Sequence, residues 1–255
     1  MRNLSLPMFE VISHLKTINY PKIVVLSGAG ISAESGIKTF RDNGGLWENH
    51  SVEEVASPEA FVRNPESVYR FYNARRQQLL SSEVHPNPAH IALTKLQKAL
   101  QDNVVLVTQN VDNLHERGGC SNVIHMHGEI FSAKCENTNE AIQITQDLTS
   151  QTRCSCCFPS SSMRPDIVWF GEMPYHMDSI QSHLLEADLF VSIGTSGNVY
   201  PAAGFVQIAN LAGAYSIELN LEPSEGQSDF TECHYGLASD LVPAFVDELC
   251  ALLQV

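Results

Sequence analysis

"KIVVLSGAGISAESGIKTFRD", Lys22–Asp42, decides the fold. Its first six residues hold four aliphatic side chains in an unbroken run, with no polar alternation. A strand of that kind is covered on both faces, which is the condition of a parallel sheet packed between helices. The glycines follow at once. Gly28 and Gly30 permit a tight turn and close backbone approach, and Ala33 fills the third small position of a G-x-G-x-x-G/A pattern. A helix N-terminus behind such a turn presents free amide groups to a phosphate. A nucleotide-binding strand–turn–helix is therefore expected here. The usual acidic residue about twenty positions on, at the end of a second strand, is not evident. "NLE", Asn220–Glu222, at the end of a late strand offers groups suited to ribose hydroxyls instead. That departure argues against an ordinary dehydrogenase.

Working outward, "NVVLVTQ" (Asn103–Gln109), "DLFVSIGT" (Asp188–Thr195) and "AYSIELNLE" (Ala214–Glu222) repeat the buried-strand pattern. "NPAHIALTKLQKAL" and "PAAGFVQIANLAG" carry helical spacing between strands, and Val242, Phe245, Val246, Leu249, Leu252 and Leu253 predict a closing C-terminal helix. The expected fold is α/β, a Rossmann-like parallel sheet with helices on both faces. The segments 1–40, 87–127 and 164–255 are expected to form its nucleotide-binding domain. Two stretches break the rhythm, a helical insertion at 41–86 and a cysteine-bearing, zinc-ribbon-like one at 128–163. Together they are expected to form a smaller lobe.

Composition narrows the function. A net charge of −14 opposes a nucleic-acid role, so any anion must be met by a local group of donors. No apolar run approaches the length of a membrane span. Glu10, His14 and Lys16 interrupt the start of the chain, unlike a signal peptide. With seven cysteines, three of them in "CSCC", a metal cluster in a cytoplasmic protein is expected over a disulfide framework.

Several groups carry chemistry. "TQNVDNLHERGG" places Gln109, Asn110 and Asp112 just beyond a strand, where parallel sheets bind ligands; Asp112 could equally cap the next helix. "HMHGE" puts His125 and His127 two apart, on one side of a strand. Cys154 and Cys157 make a C-x₂-C pair, but the partner position after Cys135 is Thr138, a poor zinc ligand. Cys156 is an available fourth thiolate. In "RFYNARRQQLL", Arg70–Leu80, helical spacing puts Val68, Phe71, Tyr72, Arg75 and Leu79 on one face and leaves Arg76 in solvent.

In order, "GAGISAESGIKTFRD", "TQNVDNLHERGG", "HMHGE", "VWFGEMP", "GTSGNVYPAAG" and "NLEP" run from about residue 20 to the end of the chain. This set resembles the sirtuins, NAD-dependent protein lysine deacylases, and among them the bacterial class III members of the CobB type. The resemblance implies that Gly28, Ala29, Gly30 and Arg41 hold the diphosphate and the cofactor loop, that Phe40 lies near the nicotinamide ribose, and that Trp47 is also cofactor-binding. Gln109, Asn110, Val111 and Asp112 would line the nicotinamide and ribose pocket. Gly194, Thr195, Ser196, Asn220, Leu221, Glu222 and Ala238 would hold the adenosine half. His127 would be the general base, taking a proton from a ribose hydroxyl as the acyl group passes from lysine to ADP-ribose and nicotinamide departs. Val168, Phe170, Gly171 and Glu172 would pair with the substrate peptide as a strand. Tyr72 and Arg75 match the class III pair that binds an acyl group ending in a carboxylate, so desuccinylation and demalonylation are expected beside deacetylation. Zinc, one structural ion on Cys135, Cys154, Cys157 and a fourth ligand, is implied as well. Acylated lysine side chains of proteins are the expected partners, and the protein is read as a monomer. An ADP-ribosyltransferase using the same pocket, or a non-catalytic NAD or ADP-ribose module, are the alternatives.

Overall fold

A computed structural model describes residues 8–18, 20–38, 46–47 and 50–255. In chain order the strands are β1 (Ile23–Ser27), β2 (Leu46–Trp47), β3 (His50–Ser51), β4 (Val104–Thr108), β5 (Ile124–His125), β6 (Gly128–Cys135), β7 (Ala141–Gln143), β8 (Met163–Ile167), β9 (Leu189–Ile193), β10 (Tyr215–Asn220) and β11 (Glu232–Tyr235). Six of them form one sheet in the order β11-β10-β9-β1-β4-β5, and every pairing in it is parallel.

The apolar runs explain this sheet. Along β1, Ile23 and Val25 point into one hydrophobic cluster with Leu93 and Leu96 of the helix Pro88–Leu100 and Phe245 and Leu249 of the helix Ala238–Leu253. Val24 and Leu26 point the other way, into a cluster with Ile180, Leu184, Phe205 and Val206. Alternate side chains thus feed two separate cores, which is why no polar alternation survives in the sequence. β5 and β11 were too short, or too polar, to stand out as buried runs.

A second sheet, antiparallel in the order β7-β6-β8, follows the first. It runs through Ile167, past residue 163. Its inner face shares a third cluster with the helices Pro58–Arg63 and Pro65–Leu80, including Phe61, Tyr69, Tyr72, Ile130, Met163 and Trp169. Side-chain caps start both helices: Ser57 accepts from Ala60 N, and Asn64 from Ser67 N. Pro58 and Pro65 occupy the first helical positions, where a missing N–H costs no intrahelical bond.

Candidate functional site

Register brings the site loops to one edge. Ser27 aligns with Thr108 and with Ile193, and Ile193 with Leu219, so β1, β4, β9 and β10 end together. The loops that leave them begin at Gly28, Gln109, Gly194 and Leu221. The glycines are there because backbones touch. A Cβ on Gly28 would lie 2.8 Å from the Gly194 carbonyl oxygen, and one on Gly30 would lie 2.7 Å from the Gly194 Cα. Gly30 N donates to the same carbonyl at 2.9 Å. From the opposite side Asn220 Nδ2 donates to the Thr195 carbonyl at 2.7 Å. Ala29 lies at the turn, Ala238 begins the last helix, Ser196 follows Thr195 in the loop after β9, and Glu222 is exposed beyond the end of β10.

Asn110 and Asp112 are buried beside it. Asn110 Nδ2 donates to the Gly28 carbonyl and to Ser32 Oγ, both at 3.1 Å. Asp112 Oδ2 accepts from Ser32 Oγ at 3.0 Å, and its Oδ1 accepts from Leu114 N at 3.0 Å. One oxygen satisfies the first amide of the helix Leu114–Gly118, whose N-cap residue is Asn113, and the other faces the glycine loop. Burial raises its carboxyl above the ordinary range, against the opposing pull of those two donors. Ser32 links all of this, yet in the sequence it is one small polar residue in a glycine loop.

The two histidines differ. β5 ends at His125, so His127 lies past the strand. His127 Nδ1 is 3.0 Å from the Gln109 carbonyl. A carbonyl only accepts, so Nδ1 carries the proton and Nε2 keeps its lone pair. Burial lowers its pKa, only partly opposed by that bond, and keeps the ring neutral near pH 7. His125 faces two acceptors, the Asn110 carbonyl at 3.2 Å and Glu116 Oε1 at 2.8 Å. Burial opposes its charge, but Glu116 more than offsets this and its pKa is raised. Gly128 then lets the chain turn: at φ 82° a Cβ there would be 2.0 Å from the Asp166 carbonyl oxygen.

In the helix Pro65–Leu80 the buried residues are Val68, Tyr69, Phe71, Tyr72, Arg76 and Leu79. Arg76 is therefore not solvated, contrary to its sequence reading; it is 0% exposed. Its Nε donates to the Ile130 carbonyl at 2.9 Å, and Nη1 to Asn73 Oδ1 at 2.9 Å and the Gln146 carbonyl at 3.2 Å. The helix is packed on two sides, so its inward arc reaches past the face that spacing indicates. Arg75 sits at the edge of that arc, half-buried, with its guanidinium carbon 5.5 Å from the Phe71 ring centroid. Tyr72 is fully buried, and its hydroxyl accepts from Trp169 Nε1 at 2.9 Å.

Trp169 belongs to "VWFGE", the stretch expected to pair with the substrate peptide. β8 stops at Ile167, and residues 168–172 form an irregular turn. Val168 N donates to the His127 carbonyl, Phe170 N to the Ala56 carbonyl and Glu172 N to the Trp169 carbonyl. Glu172 is held by Arg164 through both oxygens, at 2.7 and 2.9 Å. Phe170 remains exposed, and Gly171 at φ 91° has open space around it.

Cys135, Cys154, Cys156 and Cys157 converge, with their sulfurs all within 4.8 Å of one another. Cys154 and Cys157 are 3.3 Å apart, and Cys135 and Cys157 3.9 Å. Four thiolates at about 2.3 Å from a tetrahedral zinc ion stand roughly 3.8 Å apart, so the cluster fits that ion. Thr138 Oγ1 lies 3.1 Å from Cys156 Sγ, beside the four sulfurs. The bend of the chain after Cys154 brings in Cys156 where the broken C-x₂-C pattern lacks a partner. Phe40 and Arg41 lie outside the described residues, and Trp47 is described only by its backbone in β2.

The Sir2 family model matches residues 28–201. The chain belongs to the Sir2 family. Among curated proteins this sirtuin is 59% identical over 225 residues to an NAD-dependent protein deacylase of Pasteurella multocida, spanning 88% of this chain and 96% of that one. It is 56% identical over 235 residues to the Vibrio cholerae protein of the same name, at 92% and 96% coverage. The Escherichia coli K12 protein of that name is 57% identical over 229 residues, at 90% and 82% coverage. Among solved structures, a Sir2 homologue in complex with NAD superposes with a TM-score of 0.84 at 34% identity, covering 98% of this chain and 97% of that one. A Sir2 bound to acetylated peptide matches with a TM-score of 0.77 at 26% identity, covering 94% and 98%.

This sirtuin is thus an NAD-dependent protein deacylase, which excludes the non-catalytic module. Its substrates are acylated proteins. The glycine cradle, filled by any Cβ, fits a diphosphate, and the buried Asn110–Ser32–Asp112 set beside it fits a polar ring amide. Trp169 and Ser32 are the residues that sequence reading passed over. The signal for Trp169 was a lone indole inside an exposed-looking turn, and indoles are rarely placed without a partner for their N–H.

Proposed function

We propose that this deacylase removes acidic acyl groups, succinyl and malonyl, as well as acetyl from lysine. One observation carries the reading. Tyr72 is bonded to Trp169, and the adjacent Val168 is bonded to the backbone of His127, so the Tyr72–Arg75 helix face is tied directly to the general base. Arg75 is the cation one helical turn from Tyr72 on that face, and Arg76 is turned to the Ile130 and Gln146 carbonyls. It would take an acyl carboxylate bidentately, with the Tyr72 hydroxyl adding a donor.

NAD, when bound, supplies an electrophilic ribose carbon at its nicotinamide bond. Gly28, Ala29 and Gly30 would hold its diphosphate side, with Gly194, Thr195, Ser196, Asn220, Leu221, Glu222 and Ala238 at the adenosine half. Gln109, Asn110, Val111 and Asp112 would line the nicotinamide and ribose side. His127 Nε2, free to accept because Nδ1 is held by Gln109, would take a proton from a ribose hydroxyl. Exposed Phe170 and open Gly171 would meet the peptide, with Val168 and Glu172 bracing the turn. Zinc on the four cysteines would pin the second sheet and take no part in the chemistry.

The protein is further proposed to act as a cytoplasmic monomer, without nucleic-acid or membrane partners. A net charge of −14 and seven free cysteines support this, and among the described residues no helix is long and apolar enough to cross a membrane.

The test is kcat/KM on acetyl-, succinyl- and malonyl-lysine peptides. A shielded, charge-assisted pair is worth about 1.5–3 kcal/mol, so Arg75→Met should lower desuccinylation and demalonylation relative to deacetylation by on the order of 10- to 10²-fold. Equal losses on all three would return the helix to a structural part.

A further inference from the structure

Trp169 is 2% exposed in a turn that otherwise faces outward. Its ring is clamped. The Arg164 guanidinium carbon lies 3.4 Å from its centroid, and Phe61 packs at 5.3 Å with a 46° tilt. Arg164 is itself fixed, by both oxygens of Glu172 and by the Ile167 carbonyl at 2.9 Å. Glu172 Oε2 also receives the Trp169 amide at 2.8 Å. Carboxylate, guanidinium and indole thus form one closed unit at the exit of β8. From that unit the indole N–H is directed at the helix Pro65–Leu80, 2.9 Å from Tyr72 Oη.

An indole nitrogen only donates, so the Tyr72 oxygen must accept there. The phenol has one proton, and this bond directs it away from Trp169. A hydroxyl that accepts one hydrogen bond is also polarised into a stronger donor for the next. A phenol without that constraint could turn its proton to any neighbouring acceptor.

We propose that Trp169 is a positioning residue for acidic acyl groups: its indole N–H, locked by Arg164 and Glu172, orients the Tyr72 hydroxyl as a donor toward the acyl carboxylate. This rests on the reading of Tyr72 and Arg75 given above. It adds a determinant of acyl specificity that need not touch the substrate.

Trp169→Phe keeps an aromatic ring under Arg164 and removes the N–H. The succinyl-to-acetyl ratio of kcat/KM should fall about five- to tenfold, the size of one neutral hydrogen bond. The fall should lie in KM for the succinyl peptide, with kcat ratios unmoved. Tyr72→Phe should give a similar fall, and the double variant no more than the larger single one, because both remove the same interaction. Replacing Trp169 with the sulfur isostere benzothienylalanine, which keeps the bicyclic shape without the N–H, should reproduce the effect even where phenylalanine disturbs folding. Equal losses on both peptides, or additive losses in the double variant, overturn the proposal. Arg75→Met separates the two ideas. A selective loss there, with none in the isostere, leaves the acyl reading intact and removes Trp169 from it. No selectivity in Arg75→Met removes the acyl reading itself.

Discussion

Replacing Arg76 by methionine should destabilise the fold without redirecting acyl preference. The side chain keeps its length and loses every donor. Two backbone carbonyls, of Ile130 in β6 and of Gln146, lose a charged partner, as does Asn73 Oδ1. Asn73 retains its two bonds with Leu148, at 2.8 and 2.9 Å, so it stays in place. Each buried carbonyl left unsatisfied costs about 1–3 kcal/mol. Against this, the wild type buries a cation whose Nη2 has no partner, and burial pushes its pKa down. Relief of that desolvation returns part of the loss. The balance is roughly 2–4 kcal/mol of destabilisation, or about 5–15 °C in Tm for a chain of this size. Thermal unfolding followed by tryptophan fluorescence measures it, and limited proteolysis should show faster cleavage between residues 136 and 160. Arg75→Met should lose less. A Tm fall below about 2 °C for Arg76→Met, or equal falls for both variants, would refute the assignment of the two arginines to different tasks.

His127→Ala should retain NAD binding by calorimetry while deacylation falls by on the order of 10²–10⁴; near-normal turnover would exclude His127 as the base. Because burial lowers the His127 pKa, kcat/KM should be level at pH 7 and fall only below the ordinary histidine range of about 6.5; an acid limb above pH 7 would contradict this. His125 has a raised pKa in the fold, so its pairing with Glu116 stabilises fully below about pH 6.5 and loses that contribution as pH rises through the folded value. Glu116→Gln should accordingly cost more Tm at pH 6 than at pH 9, and the reverse order would refute the ion pair. Metal analysis of protein purified without added zinc should find one zinc per chain, largely lost in Cys156→Ser and retained in Thr138→Ala. Loss in Thr138→Ala instead would put the hydroxyl in the ligand set.

Much was legible in the chain itself. Three runs with no polar alternation, in β1, β4 and β9, could be buried only between two layers, and that condition specifies a parallel sheet before any contact is known; the run in β10 alternates, and its Ser216, Glu218 and Asn220 are nevertheless buried. The glycines before the helix Gly30–Ala33, and the polar residues after β4, lie where strand ends expose backbone, so their spacing carried their place. The cysteine count pointed to a metal site and offered Cys156 as its fourth member, which the cluster brings in. These features are local: each depends on a few neighbours and on the two-residue or 3.6-residue repeat of its own element.

Tertiary structure decided the rest. Adjacent arginines differ by about 100° around a helix, and spacing assigned the inward one by counting apolar neighbours. The helix Pro65–Leu80 is covered by β6 and by the chain around Gln146, so the inward arc extends to Arg76 and the carbonyls there set its role. Cys156 joins its cluster because the loop after Cys154 bends. His125 and His127 take opposite protonation tendencies because one meets a carboxylate and the other a carbonyl, from residues 9 and 18 positions away. Tyr72 and Trp169 meet across 97 positions. A periodic pattern records which way a side chain leaves its own backbone; what waits there is supplied by another part of the chain, and only the fold brings the two together.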